Sequence, residues 1–139
     1  MAEQSATPDL VELAQSIEAL GRRDSAAVLR DFAPDAIYDA SSSGVGTFEG
    51  LGAIQSFAED WLGSYEEYEG RLEENDDLGN GVMFTVALFD GRLRGSAGRV
   101  QERWSYTGLW DASVVSRMTA RNDIDEARTA AERLARERG

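Results

Sequence analysis

The chain has no cysteine, no histidine and no lysine in its 139 residues. The lack of cysteine rules out disulfides, thiolate metal sites and cysteine nucleophiles. The lack of histidine removes the commonest general base and the commonest metal ligand. Any chemistry therefore falls to carboxylates, tyrosine, arginine, hydroxyls or a bound cofactor. No apolar run approaches the length of a membrane span. Met1 to Leu10 offers neither a basic segment nor an apolar one, so no secretory signal is expected there.

Positive charge is scarce as well: 14 basic side chains, all arginine, stand against 26 acidic ones, for a net charge of −12. A field of that sign repels phosphate backbones and anionic lipid, which makes nucleic acid and membrane surfaces poor partners. The expectation is a soluble cytoplasmic protein, and arginine used to the exclusion of lysine fits a GC-rich bacterial genome. The length suits a single domain over residues 1–139, and such a chain buries roughly two-thirds of its unfolded surface without needing covalent staples.

The first third reads as a helical pair. Thr7-Pro8-Asp9 places a hydroxyl at the N-cap, proline at the first helical position and an acid in the first turn. Leu10, Leu13, Ala14, Ile17 and Leu20 then recur at helical spacing up to Gly21. Asp24 caps a second, short helix carrying Val28, Leu29 and Phe32, which Pro34 stops. Ala36 to Ala40 reads as a short strand, followed by a serine- and glycine-rich loop and two or three strand residues at Thr47-Phe48-Glu49. A third helix follows Gly50, with Leu51, Ile54, Phe57, Trp61 and Tyr65 on one buried face.

The remainder reads as a meander. Glu67 to Asn75 alternates, with Tyr68, Gly70 and Leu72 on one side and charge on the other, as in a half-solvated edge strand. Gly79-Asn80-Gly81 supplies a hairpin turn. Val82 to Phe89 is apolar on both parities and reads as a central strand covered on both faces. Asp90-Gly91 is expected to turn, Arg92–Gly98 to be a loop, Val100 to Trp110 a long strand, Asp111-Ala112-Ser113 a turn and Val114 to Arg121 the last strand. Asp123 and Glu126 form a capping box for a C-terminal helix that docks through Ala127, Ala131 and Leu134. Three arginine–glutamate pairs at i,i+4 (Arg128–Glu132, Glu132–Arg136, Arg133–Glu137) would add only about 0.2–0.5 kcal/mol each to that helix.

This order of elements resembles the cone of the nuclear-transport-factor-2-like (SnoaL-like) superfamily, and several stretches carry the likeness. Phe32-Ala33-Pro34-Asp35-Ala36-Ile37-Tyr38-Asp39 resembles the family's F-x-P-D-A-x-W-D opening. Gly46 to Gly50, with Ala53-Ile54, Phe57 and Trp61, resembles its G-x-x-x-G-x-x-A-I-x-x-F-x-x-x-W segment. Arg103-Trp104 through Arg117 is similar to its R-W…D-G-K-I-V-R hairpin, and Asn122 to Ala127 to its closing D…E-A. The resemblance covers about residues 8 to 135. It implies an α+β fold in which a curved antiparallel sheet wraps around the N-terminal helices, with a C-terminal helix, an apolar pocket and a homodimer paired through the outer sheet face. It does not fix an activity, because the superfold hosts enzymes, binders and scaffolds alike.

The family's catalytic sets do not carry over. The tyrosine, aspartate base and second aspartate of its ketosteroid isomerases align near Ser16, Ala40 or Ser41, and Ser105. A serine at ordinary pKa cannot abstract a carbon-bound proton as a carboxylate can. The Arg-x-Asp of its epoxide hydrolases has no counterpart in Val82 to Phe89, the histidines of its dehydratases are missing, and Val100–Trp110 offers only Glu102 where the SnoaL cyclases carry an aspartate.

Three readings follow. The first is a small-molecule-binding domain with Tyr38, Trp61, Phe84, Gln101, Arg103 and Ser105 lining its pocket, for a hydrophobic ligand and without a cofactor. The inward orientation of Gln101, Arg103 and Ser105 rests on the isomerase alignment. The second is an isomerase- or cyclase-type enzyme on a hydrophobic oxygenated metabolite, with Asp39 as base and Arg103 holding an oxyanion. Its bland counterpart is a structural ion pair. The third is a dimeric scaffold whose cone is filled. Trp104 and Tyr106 lie on the parity opposite Arg103, so they line either the pocket or an outer dimer patch with Trp110. The acidic run from Glu66 to Asp77 fits no calcium loop and reads as a solvated strand face, so no metal is expected.

Overall fold

A computed structural model describes residues 29–111 and 114–139. The elements described are β1 (Phe32–Asp39), β2 (Thr47–Glu49), α1 (Leu51–Gly63), β3 (Tyr65–Gly79), β4 (Val82–Leu93), β5 (Arg99–Asp111), β6 (Val114–Arg121) and α2 (Ile124–Arg138), with one 3-10 turn at Ser41–Ser43. The helices expected before Val28, Ser16 with them, and the Ala112-Ser113 part of the last turn lie outside the described residues.

The strands form one curved, unclosed sheet in the order β2-β1-β6-β5-β4-β3, in which β1 runs parallel to β6 and all other pairs are antiparallel. Two layers cover it. On the inner face Trp61 and Leu62 of α1 pack with Ala87, Phe89, Trp104 and Ala120. On the outer face Ala127 and Ala131 of α2 pack on Phe84 and Val86. That double cover explains why Val82 to Phe89 is apolar on both parities: every residue of it but Leu88 is buried.

Two sequence expectations are corrected. Phe32 opens β1 instead of closing a helix. Pro34 is tolerated there because β2 pairs only with Ile37 to Asp39, leaving the proline stretch free on that side, and the pairing with β6 shifts register between Phe32 and Ile37. Asp90-Gly91 does not turn; both residues pair within β4, with Gln101 and Val100. Glycine is required at 91 for packing, since a Cβ there would lie 2.9 Å from Cδ1 of Tyr65 and 3.0 Å from Cδ1 of Tyr68. As the small i,i+4 increments lead one to expect, the arginine–glutamate ladder on α2 is not its main fastening. Arg128 reaches instead to Glu74 (2.8 Å to Oε2) and lies 4.9 Å from the centre of the Phe84 ring.

The turn signals hold. Gly79, Asn80 and Gly81 have φ of 87°, 58° and 78°, the left-handed run that a tight reversal needs. Asn80 Nδ2 donates to the carbonyl of Ala135 (2.6 Å), which ties this hairpin to the end of α2. At the other end Asp123 caps α2, accepting from the Glu126 N–H at 3.1 Å. The docking stripe is Ala127, Ala131 and Ala135, with Leu134 only half-buried. These alanines let the helix lie close on Phe84.

Candidate functional site

The β4–β5 register decides which side chains face inward. Ala87 pairs with Trp104 and Thr85 with Tyr106, while Leu88 pairs with Arg103 and Val86 with Ser105. Because side chains alternate between faces, Trp104 and Tyr106 join Ala87 and Phe89 under α1, and Arg103 and Ser105 take the side of α2. The β3 strand contributes Tyr68 to the inner face opposite Gly91, and β1 contributes Tyr38, paired with Met118.

The result is a chain of rings across the interior. Phe48 stacks on Phe57 (centroids 4.3 Å apart), and Phe57 meets Tyr38 at 5.4 Å and Trp61 at 5.9 Å. Trp61 stands perpendicular to Trp104 at 6.2 Å, Tyr68 stacks on Phe89 at 5.3 Å, and Phe89 stands perpendicular to Tyr106 at 6.3 Å. Edge-to-face and offset contacts of this kind satisfy the ring quadrupoles. The indole N–H of Trp61 donates to the Tyr68 hydroxyl at 3.2 Å.

Burial within this chain is uneven. Phe89, Trp104 and Tyr68 are buried, whereas Tyr38, Trp61 and Tyr106 keep accessible surface. Yet burial pushes the Tyr38 and Tyr106 phenols well above their ordinary range, and it raises Tyr68 too. The Tyr38 and Tyr106 hydroxyls interact with each other. Both groups are thus neutral hydrogen-bonding phenols at any physiological pH.

Glu102 extends this face at its open end, opposite Phe89 and beyond the last β5–β6 pair, Ser105 with Arg121. It is half-buried, and its Oε2 accepts from the Trp104 indole N–H at 2.9 Å.

The expected site residues divide between the two faces. Tyr38 and Trp61 lie on the inner face with the rings. Phe84 is buried on the outer face beneath α2. Ser105 is buried on that side as well and donates to the carbonyl of Arg121 at 3.0 Å. Gln101 is exposed, and Arg103 lies on the outside clasping Glu73 (2.6 and 3.2 Å). The inward reading of Phe84, Gln101, Arg103 and Ser105 is therefore corrected, because the aromatic parity of β5, not the arginine parity, packs on α1. Trp104 and Tyr106 are not an outer dimer patch, and Trp110 is buried with Met83 and Val115.

Asp39 and Arg103 are not brought together: β6 separates their strands. Asp39 instead takes Arg117 (2.7 Å), the Ser41 hydroxyl (2.6 Å) and N–H (3.0 Å), and the Thr47 hydroxyl (3.2 Å). The two Ser41 donors chiefly hold its carboxyl below the usual range, with Thr47 and Arg117 adding to the effect. A carboxylate with its lone pairs engaged and its affinity for protons lowered is a poor general base. It serves as a clasp between the β1–β2 corner and β6. Among the described residues no group of three or more acidic side chains converges in the manner of a metal site.

The residues that sequence reasoning missed are Phe57, Tyr68, Phe89 and Glu102. Tyr68 and Phe57 were visible as members of apolar stripes, but nothing in their spacing said that the two stripes meet.

No family model matches the chain, and no curated protein does. Solved structures do. A Catenulispora acidiphila protein with a ketosteroid-isomerase-like fold, in complex with trimethylamine, is similar at a TM-score of 0.71 and 16% identity over 83% of this chain and 85% of that one. A nuclear-transport-factor-2-like protein of unknown function from Burkholderia pseudomallei gives 0.71 and 18% over 89% and 95%. A Mycobacterium tuberculosis protein in complex with estradiol-17β-hemisuccinate gives 0.67 and 15% over 88% and 97%. The fold is thus that of the nuclear-transport-factor-2-like cone, with the C-terminal helix that the sequence resemblance implies.

Proposed function

Taking this nuclear-transport-factor-2-like fold as the premise, we propose that the chain is a small-molecule-binding domain whose ligand lies on the inner face, against Tyr38, Trp61 and Tyr106. One observation carries the reading. Tyr38, Trp61 and Tyr106 keep accessible surface on the inner face of the curved sheet, while Tyr68, Phe89 and Trp104 beside them are buried. Aromatic surface left accessible in a concave setting is what a largely apolar ligand covers. The ligand expected there is a mainly apolar molecule, able to slide between rings, with a polar group for the paired hydroxyls. Two similar folds hold small organic molecules, trimethylamine in one case and a steroid conjugate in the other.

Asp39, the base candidate of the enzyme reading, lies on the outer face clasped by Arg117, and the family's catalytic sets do not carry over, so binding rather than turnover is the function put forward. No helix among the described residues is long and apolar enough to cross a membrane, in keeping with a cytoplasmic carrier or sensor. A homodimer remains part of this reading, but its interface is the strip of outer sheet that α2 leaves uncovered, which is more polar than the one first expected.

A thermal-shift screen of steroids, terpenes, aromatic polyketides and amines tests the proposal. A ligand at about 100 times its Kd should add about 2.7 kcal/mol of stability and raise the melting temperature. Tyr106→Trp, which fills the space, should abolish the shift in a protein that still melts cooperatively. Shifts that persist unchanged in Tyr106→Trp would place the ligand elsewhere and overturn the reading.

A further inference from the structure

Glu102 is an anion in the wrong company. Its neighbours on the inner face are Phe89, Trp104 and, through the field it exerts, Tyr65, Tyr68 and Tyr106. The faces of these rings carry negative charge in their quadrupoles, which does nothing to stabilise a carboxylate. The neutral indole N–H of Trp104 donates to Glu102. Among the described residues it has no ion-pair partner, although arginine is spent freely elsewhere: Arg92 and Arg99 on Glu66, Glu67 and Asp90, Arg103 on Glu73, Arg121 on Glu126, Arg128 on Glu74. A half-buried carboxylate beside accessible aromatic rings is the arrangement that a positively charged organic group complements. The rings supply cation–π attraction and the carboxylate supplies the counter-charge.

Resting on the binding function proposed above, we infer that the inner-face ligand is an organic cation, an amine or quaternary ammonium, whose charged head sits between Glu102 and the accessible rings of Trp61 and Tyr106. The rest of the molecule then extends toward Tyr38. A compact inorganic cation is disfavoured, because the face offers it a single carboxylate and no converging oxygen set. The net charge of −12 adds a field that draws cations toward the protein as a whole. That field acts anywhere on the surface, so the test must separate it from the site.

Three matched molecules do so: choline, its uncharged carbon isostere 3,3-dimethylbutan-1-ol, and the anion 3,3-dimethylbutyrate. Each is titrated into the whole protein at about 0.3 M salt, where the Debye length is too short for diffuse attraction to matter, and followed by tryptophan fluorescence and calorimetry. Choline should bind roughly tenfold tighter than the isostere, and the anion least well. Glu102→Gln should narrow the preference for choline to what the rings alone supply, while leaving the isostere's affinity unchanged. Equal affinities in the parent protein, or a preference for choline undiminished in Glu102→Gln, overturn the cation inference. So does choline binding that is indifferent to Trp61→Leu, which puts the cation elsewhere on the acidic surface. If none of the three binds while a neutral molecule from the wider screen does so in a Tyr106-dependent way, the cation inference falls and the binding function stands. If nothing binds in either experiment, both fall.

Discussion

The two faces of the sheet solve opposite problems with the same strands. On the outer face, polar groups find partners: Arg103 with Glu73, Arg128 with Glu74, Asp39 with four donors, Ser105 with a backbone carbonyl. Phe84 and Val86 are sealed by the alanine stripe of α2. On the inner face there are rings and phenols, several still accessible, and a carboxylate without a cationic partner among the described residues. Satisfied polar groups fix a structure; accessible apolar ones in a concave setting leave something for a ligand to do. The difference teaches that paired charge on this protein marks architecture, while the proposed binding falls on accessible rings and an unpaired carboxylate, the reverse of what a search for catalytic pairs assumes.

The harshest challenge to this contrast is alkali. Each of the four tyrosines is held above its ordinary range, with burial as the first cause. In the unfolded chain they ionise near pH 10. Below that value they contribute their full stabilisation; above it the unfolded chain loses protons that the folded chain keeps, and stability falls with each further rise. The protein should therefore unfold cooperatively in alkali, with tyrosinate absorbance at 295 nm appearing together with loss of the near-ultraviolet dichroism of its tryptophans. Tyrosinate that forms near pH 10 in a protein still folded would mean that the inner face is wet, and the contrast between faces would break.

Next in size is the outer core. Phe84 is inaccessible and supports both α2 and the Arg128 guanidinium. Phe84→Ala should cost about 3–5 kcal/mol, as truncations of buried phenylalanine do, read as a lowered denaturation midpoint. Ligand affinity at a temperature where the variant remains folded should not move. A loss of affinity in the folded variant would show that the two faces are coupled and that the first reading of Phe84 as a pocket residue had merit.

The same residue shows what the sequence could tell and where it stopped. Elements were legible because their signals are local: the Gly79-Asn80-Gly81 reversal, the Asp123 cap and the alternation of Glu67 to Leu72 all depend on residues within a turn of one another. The order of elements was legible too, as the resemblance to a cone. Facing was not. In Val82–Phe89 both parities are apolar, so nothing says whether Phe84 or Thr85 looks inward, and the choice passes through the pairing register to β5. There the analogy with the isomerases turns the arginine parity inward, the wrong way for Arg103 and Ser105. A register shift in β3 between Leu72 and Glu74 compounds the problem, because it brings Glu74 opposite Val86 and so to Arg128 on the outer side. The aromatic weight of Trp104 and Tyr106 was the better guide, since α1 offers an equally aromatic stripe to receive them.

The smallest effect expected is also the most discriminating, for it sets two ion-paired residues of the outer face side by side. Asp39 is mostly enclosed, its side chain 19% accessible, and accepts from four groups; Arg103 is 57% accessible and holds only Glu73. Replacing Asp39 by Asn keeps the shape but removes the charge that Arg117 and the hydroxyls address, at a cost of about 1 kcal/mol for hydrogen bonds to an ion at a partly open edge. Because the folded carboxyl is held below its ordinary value, its contribution is complete above the unfolded pKa of about 3.9 and disappears as pH falls through the folded one. The parent and Asp39→Asn should accordingly differ in melting temperature at pH 7 and converge as pH falls through the lowered pKa of the folded carboxyl. Arg103→Ala should leave the melting temperature where it was throughout that range, since exposed pairs exchange one hydrated state for another. Neither substitution should alter ligand affinity. If Arg103→Ala alone weakens binding, the arginine reaches the ligand by a route that the β4–β5 register forbids, and the assignment of faces must be reversed.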